Sequence, residues 1–348
     1  MGLIRALRVL GPVLVLLIYL SPAQAAKIYE GPNGEIFIGD YLPPELAEKG
    51  YAPKGQKASP YPAGGHKNFL WKVDSGDNRV YVLGSVHMAT KDIFPLPPAI
   101  ESAFEECDAL AVEANVSPGN ILAEKGMIEK ALLESMLYPE GETIEKHISK
   151  KTYALLSEKL DEMGLSIDQF GRLRPWFIGM LFQAGELAKE GLSPEFGIET
   201  HFLARAEGKK KILELEGLAY QINMFKNFTD KEEENFLVYS ILSRHEEMTR
   251  KVMAAWVKGD VEGMHAIIEK DVKDNPDLLP LMEKFLYERN RNMAAKIETY
   301  LADNESVFVI AGAAHMAGKK GVIELLRKKG YAVEQVRSLE PSAAGALK

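Results

Sequence analysis

The chain has 348 residues, of which 46% are hydrophobic and 26% are charged, and its net charge is −8. This length and composition are typical of a folded protein with one large or two smaller domains, and they do not favour a largely disordered chain. Nucleic acid is not an expected partner, because binding to its phosphates requires clustered Lys and Arg. Cys107 is the only cysteine, which excludes an intramolecular disulfide.

The N-terminus has the pattern of a secretory signal peptide over residues 1–25. Two arginines precede an apolar stretch at 9–20, and an Ala-Gln-Ala sequence that ends at Ala25 matches a cleavage site. We therefore expect cleavage after Ala25 and a periplasmic or secreted protein. The alternative is an uncleaved segment that anchors the chain in the inner membrane, although the apolar stretch is short for a membrane span.

Residues 26–42 have the pattern of a small β-hairpin module. Two short runs with aromatic residues flank Asn33-Gly34, a dipeptide that favours the tight turn of a hairpin. Their order resembles a short bacterial envelope module, domain of unknown function 4124. Because two strands alone are barely stable, we expect this hairpin to pack on the main domain or on an envelope protein partner. Residues 43–67, rich in Pro, Gly, Lys and Ala, are predicted to be a linker.

The main domain is predicted to span 68–338, followed by a tail at 339–348. Helical spacing dominates 117–208 and 229–301, between short runs that are typical of strands. This order predicts an α/β fold in which a mixed central sheet carries a large helical insertion. Strands are predicted at 69–73, 79–83, 109–112, 211–215, 307–310 and 331–336, and shorter helices at 98–106 and 318–329.

Two of the predicted strands end in the same Gly-x-x-His-Met pattern. The first pattern runs from Gly84 to His87, and the second runs from Gly312 to His315. Each His lies just past the carboxyl end of a strand, where open α/β sheets bind their ligands. If both strands belong to one sheet, the two imidazoles converge. A metal site or an acid–base site is therefore the leading hypothesis.

Glu113 and Glu216 occupy equivalent positions, each directly after a predicted strand. Two imidazoles with one or two carboxylates suit a divalent metal such as Mn, Co or Zn. The carboxylate that does not bind the ion would accept a proton or orient a His, and the two glutamates could fill these roles in either order. Each residue alone is more simply interpreted as structural. Their equivalent positions favour a shared site.

Arg174, Arg289 and Asn290 are candidates for binding a substrate. Arg174 precedes a Pro-Trp pair that can open a helix, and Arg289-Asn290 lies on a charged helix that could reach the ligand edge of the sheet. Either arginine could bind a carboxylate or an oxyanion, and surface pairing or helix capping is the competing interpretation. Glu199 is predicted in the first turn of a helix, where the macrodipole favours an acid. A helix start at Gly318 could also stabilise an oxyanion.

Taken together, these stretches resemble the TraB/GumN family, which includes the Tiki metalloproteases and the pheromone-shutdown proteins. The resemblance runs from residue 69 to residue 336, in an order that is more specific than any single motif. The matching stretches are Leu70-Trp71-Lys72, Leu83-Gly84-Ser85-Val86-His87, Pro95-Leu96-Pro97, Leu110-Ala111-Val112-Glu113, Arg174-Pro175-Trp176, Gly197-Ile198-Glu199, Leu215-Glu216, Glu288-Arg289-Asn290 and Gly312-Ala313-Ala314-His315-Met316-Ala317-Gly318.

The resemblance implies a divalent-metal, peptidase-like site and a fold related to the erythromycin esterases and the haem-binding ChaN-like proteins. It implies His87, Glu113 and His315 as the core of the site, with Glu216 and Arg289 in support. In this hypothesis, water activated by the metal would attack a carbonyl, Glu113 or Glu216 would accept the proton, and Arg289 or the helix start at Gly318 would stabilise the oxyanion.

We therefore expect an exported metal-dependent hydrolase that acts on a peptide or on another small molecule. An alternative from a different class is a non-catalytic periplasmic protein that binds a peptide, haem or a metal through the same His pair. A third hypothesis is an inactive scaffold that docks on an envelope partner through residues 26–42.

Overall fold

The described part of the chain is residues 27–338 of a computed structural model, without 33–34, 40–42, 44, 47–48, 54–59, 63–64, 77, 244 and 304. The predicted signal peptide, the Asn33-Gly34 turn and the tail at 339–348 lie outside these residues. Within them, no helix combines the length and the apolar character that a membrane span needs.

The N-terminal module is a small antiparallel sheet. Strands β1 (Lys27–Glu30) and β2 (Ile36–Gly39) pair as the hairpin predicted from the sequence. A third strand, β3 (Ala52–Pro53), pairs with the other edge of β1. Because β3 has only two residues, it carries no periodicity from which a strand could be predicted.

The segment that follows the small sheet contacts the main domain through Tyr61. Its phenol donates a hydrogen bond of 2.9 Å to the carbonyl of Ile93. Its ring centroid lies 6.1 Å from that of Trp256, whose indole N–H donates to the carbonyl of Gly84. The connection therefore contacts a residue that follows the first Gly-x-x-His motif and a tryptophan that bonds the first glycine of that motif.

The main sheet is mixed, as predicted. Its strand order in the described residues is β7-β6-β8-β5-β4-β9, in which the first four strands are parallel and the last two pairings are antiparallel. Strands β6 and β8 are buried along their whole length, which explains their continuous apolar sequences. Its strands are β4 (Lys67–Ser75), β5 (Asn78–Ser85), β6 (Ala109–Val112), β7 (Lys211–Glu214), β8 (Val307–Gly312) and β9 (Ala332–Arg337).

Helices surround the sheet and form the large insertion. Some helices begin with a Pro in the first turn, which has no N–H group to leave without a partner. Others begin with a Ser or Thr whose hydroxyl accepts a hydrogen bond from a free N–H group of the first turn. The helices are α1 (Pro98–Glu105), α2 (Pro118–Met136), α3 (Lys150–Glu162), α4 (Pro175–Lys189), α5 (Ile198–Ala206), α6 (Leu218–Lys226), α7 (Asp230–Leu242), α8 (His245–Val257), α9 (Val261–Asp274), α10 (Leu279–Met282), α11 (Glu288–Ala302) and α12 (Val322–Lys328). Short 3₁₀ helices lie at Lys91–Ile93, Ile144–Lys146, Ile167–Gln169, Pro194–Phe196, Pro276–Leu278 and Ala313–Met316, and a π-helical stretch lies at Glu283–Tyr287.

The described residues form two hydrophobic cores. One surrounds the sheet and includes Trp71, Phe104 and Phe308. The other lies within the helical insertion around Trp176 and Leu156. The insertion therefore has its own core, which confirms the predicted architecture of a sheet with a large helical addition.

The predicted helix start at Gly318 is wrong. Gly318 has a φ of 76°, a left-handed conformation that a right-handed helix does not contain. The helix begins at Val322, with Gly321 as its N-cap. No helix N-terminus is therefore available at Gly318 to stabilise an oxyanion.

Candidate functional site

The parallel strands bring the four predicted strand-end residues to one edge of the sheet. Ser85 of β5 pairs in register with Gly312 of β8, and β6 lies on the other side of β8. The residues that follow these strands therefore lie at the same edge of the sheet. His87, Glu113 and His315 follow β5, β6 and β8, and Glu216 follows β7.

Three of these side chains converge on the space above Gly312. A β-carbon on Gly312 would lie 3.2 Å from Nε2 of His87, 3.4 Å from Cδ2 of His315 and 3.5 Å from Oε1 of Glu113. Because all three atoms lie within 3.5 Å of the same position, any two of them lie within twice that distance of each other. In addition, Nε2 of His315 lies 3.7 Å from Oε1 of Glu113. The absence of a side chain at Gly312 leaves this shared space open.

Glu113 is a buried carboxylate with three hydrogen-bond donors. Its Oε1 accepts from the backbone N–H of Gly312 at 2.7 Å, and its Oε2 accepts from Arg289 at 2.5 Å and from Gln221 at 3.0 Å. Burial alone would raise the pKa of Glu113, but the attraction of His315 and Arg289 outweighs burial and lowers the pKa to about 2. Glu113 is therefore ionised at neutral pH.

Arg289 joins Glu113 to Glu216. Its Nε lies 2.9 Å and 3.1 Å from the two carboxylate oxygens of Glu216, and its Nη2 bonds both glutamates. Its Nη1 donates to the carbonyl of Phe285, within the π-helical stretch. Gln221 also donates to both carboxylates. Glu113, Glu216, Arg289 and Gln221 therefore form one hydrogen-bonded network.

His315 is held in place by Asn290. The two side chains meet at 2.5 Å, between Nδ1 of His315 and Oδ1 of Asn290, and the amide nitrogen of Asn290 donates to the carbonyl of Lys320. Burial lowers the pKa of His315 to about 4, so its imidazole is neutral at pH 7. Asn290 is fully buried. Both ends of its amide are therefore bonded within the protein, and the prediction that Asn290 binds a substrate stays a prediction.

His87 lies on the open side of the site, with 63% of its side chain exposed. Its Nδ1 lies 2.9 Å from Oε1 of Glu199, in the first turn of α5. The Glu199 carboxylate raises the pKa of His87 because it attracts the protonated imidazole. The sequence predicted Glu199 in the first turn of a helix but not this contact, because the two residues are far apart in the sequence and local patterns do not specify which distant elements meet.

Arg174 lies apart from this cluster, in the helical insertion. It is the N-cap of α4, its guanidinium pairs with the buried carboxylate of Glu233, and it lies 5.7 Å from the ring centroid of Tyr138. Its charge is therefore matched within the insertion. The structure unites His87, Glu113, Glu216, Arg289, Asn290 and His315, but not Arg174.

The nitrogen and oxygen atoms of this site are of the kinds that bind divalent ions. His87 and His315 each have Nδ1 bonded to an oxygen acceptor, which directs Nε2 inward, as is common for histidines that bind metals. Glu113 adds an oxygen at the same space. Among the described residues, however, no group of three or more His, Cys, Asp or Glu side chains is placed so that it could hold a metal ion.

Comparison with known proteins identifies relatives of the chain. Residues 69–335 match the sequence profile of the TraB/PrgY/gumN family. The chain is 32% identical to the uncharacterized protein YbaP of Escherichia coli (strain K12) over 157 residues, which is 45% of this chain and 55% of YbaP. It is 21% identical to an uncharacterized protein of Treponema pallidum (strain Nichols) over 282 residues, covering 76% of this chain and 82% of that protein.

A shorter similarity connects the chain to a metalloprotease. The chain is 36% identical to metalloprotease TIKI2 of Danio rerio over 63 residues, which is 18% of this chain and 12% of TIKI2. The chain spans about half the length of the curated relatives that it matches first. No solved structure matches, so the likeness to erythromycin esterases and ChaN-like proteins stays a prediction.

Proposed function

The chain belongs to the TraB/PrgY/gumN family, and on that basis we propose that it is a metal-dependent hydrolase that cleaves peptide or ester bonds. The observation that carries this proposal is the convergence of His87, Glu113 and His315 on the open space above Gly312. The similarity to metalloprotease TIKI2 supports a hydrolase of the peptidase type.

The charges of the site also support a bound cation. Glu113, Glu199 and Glu216 contribute three carboxylates, each of them mostly or fully shielded from solvent. Arg289 contacts two of them, and burial keeps His315 neutral. Buried carboxylates are costly unless positive charge balances them. His87, whose pKa the Glu199 carboxylate raises, supplies part of that charge when it is protonated, and a divalent ion such as Mn, Co or Zn that replaces this proton would supply more.

In this proposal, His87, Glu113 and His315 hold the ion. The ion would supply Lewis acidity, which acidifies water and polarises a carbonyl group. The remaining chemistry belongs to the chain. Glu113 presents Oε1 to the open space and would bind the ion, so Glu216, which Arg289 and Gln221 connect to Glu113, is the carboxylate that would accept a proton. Arg289 has its donors bonded to that pair and to Phe285, so it positions the carboxylates instead of binding an oxyanion.

The open side of the site would admit the substrate. His87 is the exposed member of the cluster, whereas Glu113 and His315 are buried behind it. A carbonyl that enters past His87 would therefore meet the carboxylate and the second imidazole at the base of the site. A peptide or another small molecule with a hydrolysable carbonyl is the proposed substrate class.

Metal analysis combined with a cleavage assay tests this proposal. The purified chain is stripped with a chelator, reloaded with Mn, Co or Zn, and assayed on a library of fluorogenic peptides and esters. We expect about one ion per chain and turnover that depends on it. Both should be lost in His87→Ala and in His315→Ala but kept in His245→Ala, a histidine at the start of α8.

The same experiment separates the alternative functions. Stoichiometric metal without turnover on any member of the library would favour a periplasmic binding protein that uses the same His pair. A chain that takes up no ion in either state would contradict the metal-dependent mechanism.

We also propose that the chain acts in the periplasm or after secretion. The support is the signal-peptide pattern of residues 1–25. Strand β2 lies at an edge of the N-terminal sheet, where an envelope protein could pair with it. Fractionation of a C-terminally tagged chain, with and without residues 26–42, tests location and envelope association separately.

A further inference from the structure

The loop that carries His87 is paired along its length with the segment that leads into α5. Ala89 and Ser193 exchange two backbone hydrogen bonds, of 3.2 Å and 2.8 Å. Four residues further along that segment, the N–H of Gly197 closes the short 3₁₀ turn, and the N–H of Ile198 donates to the carbonyl of Val86 at 3.1 Å. The backbone of α5 therefore starts in fixed register with the His87 loop.

Gly197 allows this close approach. A β-carbon on Gly197 would lie 2.3 Å from the carbonyl oxygen of His87, far inside contact distance. Any other residue at this position would push α5 away from the loop. The glycine is thus required by the packing of two backbones and not by its own conformation, since its φ is −65°.

Glu199 projects from this junction and bonds both the end of β5 and the His87 loop. Its Oε1 accepts from the hydroxyl of Ser85 and from Nδ1 of His87, the latter at 2.9 Å. The Glu199 side chain is only 12% exposed, whereas the His87 ring is 63% exposed. A shielded carboxylate therefore holds an imidazole that would otherwise be free to change rotamer in solvent.

The helix that carries Glu199 is itself anchored in the core. On the next turns of α5, His201 lies 3.3 Å from Oε1 of Glu101, and Arg205 pairs with the same carboxylate. All three of these side chains are buried. Glu101 belongs to α1, so the position of α5, and with it that of Glu199, is set by packing against a second helix.

We infer that Glu199 is the positioning residue of His87, which makes Nδ1 the protonated nitrogen and presents the lone pair of Nε2 to the space above Gly312. The hydrogen bond at one ring nitrogen determines which nitrogen carries the proton. Carboxylates that do this for a metal-binding His typically change metal affinity by 10- to 100-fold. The expected effect on metal affinity rests on the proposed function, but the orientation of His87 can be measured without metal or substrate.

The test compares Glu199→Ala and Glu199→Gln with Glu195→Ala, which removes an exposed acid from the same segment. Long-range ¹H–¹⁵N spectra of the metal-free chain, recorded at a pH where His87 is neutral, report its tautomer. We expect the Nδ1–H form in the unaltered chain and in Glu195→Ala, and a shift towards the Nε2–H form in Glu199→Ala. Calorimetric titration with Mn²⁺ should show affinity lowered by about 10- to 100-fold in Glu199→Ala and by less in Glu199→Gln, whose amide oxygen can still accept.

The outcomes separate this inference from the proposed function. An unaltered chain that takes up none of Mn²⁺, Co²⁺ and Zn²⁺ would overturn the proposed function, and the tautomer comparison would still decide the role of Glu199. A His87 tautomer that is the same in Glu199→Ala and in the unaltered chain would overturn the positioning role. Because Glu199→Gln keeps the size and one acceptor of the side chain, it supplies the comparison if Glu199→Ala does not fold.

Discussion

Nη2 of Arg289 lies 2.5 Å from Oε2 of Glu113, although one residue belongs to α11 and the other follows β6. The same guanidinium bonds Glu216 after β7, so a single side chain connects one helix to the ends of two neighbouring strands. The arrangement neutralises part of the charge at the floor of the site. It also explains why Arg289 stabilises the site even before any ligand binds.

Replacing Arg289 with Met should destabilise the chain. Glu113 and Glu216 would remain buried without their cation, and breaking a buried pair in this way costs about 3–5 kcal/mol. Urea denaturation of the metal-free chain measures this loss. Arg291→Met is the control, because Arg291 forms an exposed pair with Glu283 and should change the free energy of unfolding by less than about 1 kcal/mol. Equal, small effects of the two substitutions would contradict the role given to Arg289.

Gly312→Ala should remove ligand binding and leave the fold intact. The added methyl group would lie 3.2 Å from Nε2 of His87 and 3.5 Å from Oε1 of Glu113, in the space where the proposed ion and substrate meet. The φ of Gly312 is −50°, which alanine adopts readily, so the free energy of unfolding should change by no more than about 1 kcal/mol. Mn²⁺ titration and thermal denaturation of the same sample give both quantities.

Gly126→Ala is the matched control for that substitution. Gly126 lies within α2, and a β-carbon there would contact nothing within 4 Å. Alanine in an exposed helix interior should stabilise the chain by about 1 kcal/mol without any effect on metal uptake. If Gly312→Ala binds Mn²⁺ as tightly as Gly126→Ala, the space above Gly312 is not the binding site.

Asn290→Ala should weaken the site through His315. The substitution leaves Nδ1 of His315 and the carbonyl of Lys320 without their buried partner. A buried polar group without a partner costs about 1–3 kcal/mol, and loss of an orienting partner lowers metal affinity by about 10- to 100-fold. Calorimetric titration and urea denaturation measure these changes. Asn292→Ala, an exposed residue on the same helix, should alter neither; unchanged affinity in Asn290→Ala would refute the orienting role.

Glu234 should make the helical insertion sensitive to acid. Burial would raise its pKa, but hydrogen bonds from Ser149 and Thr152 lower the pKa from 4.5 to about 2. A group whose pKa is lower in the folded state stabilises the protein above its unfolded pKa, and this stabilisation is lost as the pH falls from about 4.5 towards 2. Its full value is at most about 3 kcal/mol.

Denaturation of Glu234→Gln across that pH range measures this contribution. The variant should be less stable than the unaltered chain at pH 7, and the difference should shrink as the pH falls below 4.5. Thr152→Val removes one of the two donors and should reduce the same pH dependence in part. Parallel pH profiles for all three chains would show that Glu234 does not contribute.

The sequence was sufficient to locate the main strands and the residues that follow them. The apolar, β-branched runs of β5, β6 and β8 encode buried parallel strands locally, and Gly84 and Gly312 precede the two histidines in a repeated pattern. The mixed sheet with a helical insertion was predicted correctly for the same reason. By contrast, the helix start at Gly318 was wrong, since the positive φ of that glycine depends on how its loop packs.

The sequence by itself therefore determined which chemical groups the site contains and that each of them follows the end of a strand. Only the tertiary structure decided their partners: Glu199 for His87, Asn290 for His315, Arg289 for both Glu113 and Glu216. It also gave Arg174 a partner in Glu233, within the insertion. Strand periodicity is a local property of consecutive residues, whereas a hydrogen bond between distant residues depends on how separate helices pack against the sheet, which no short stretch of sequence specifies.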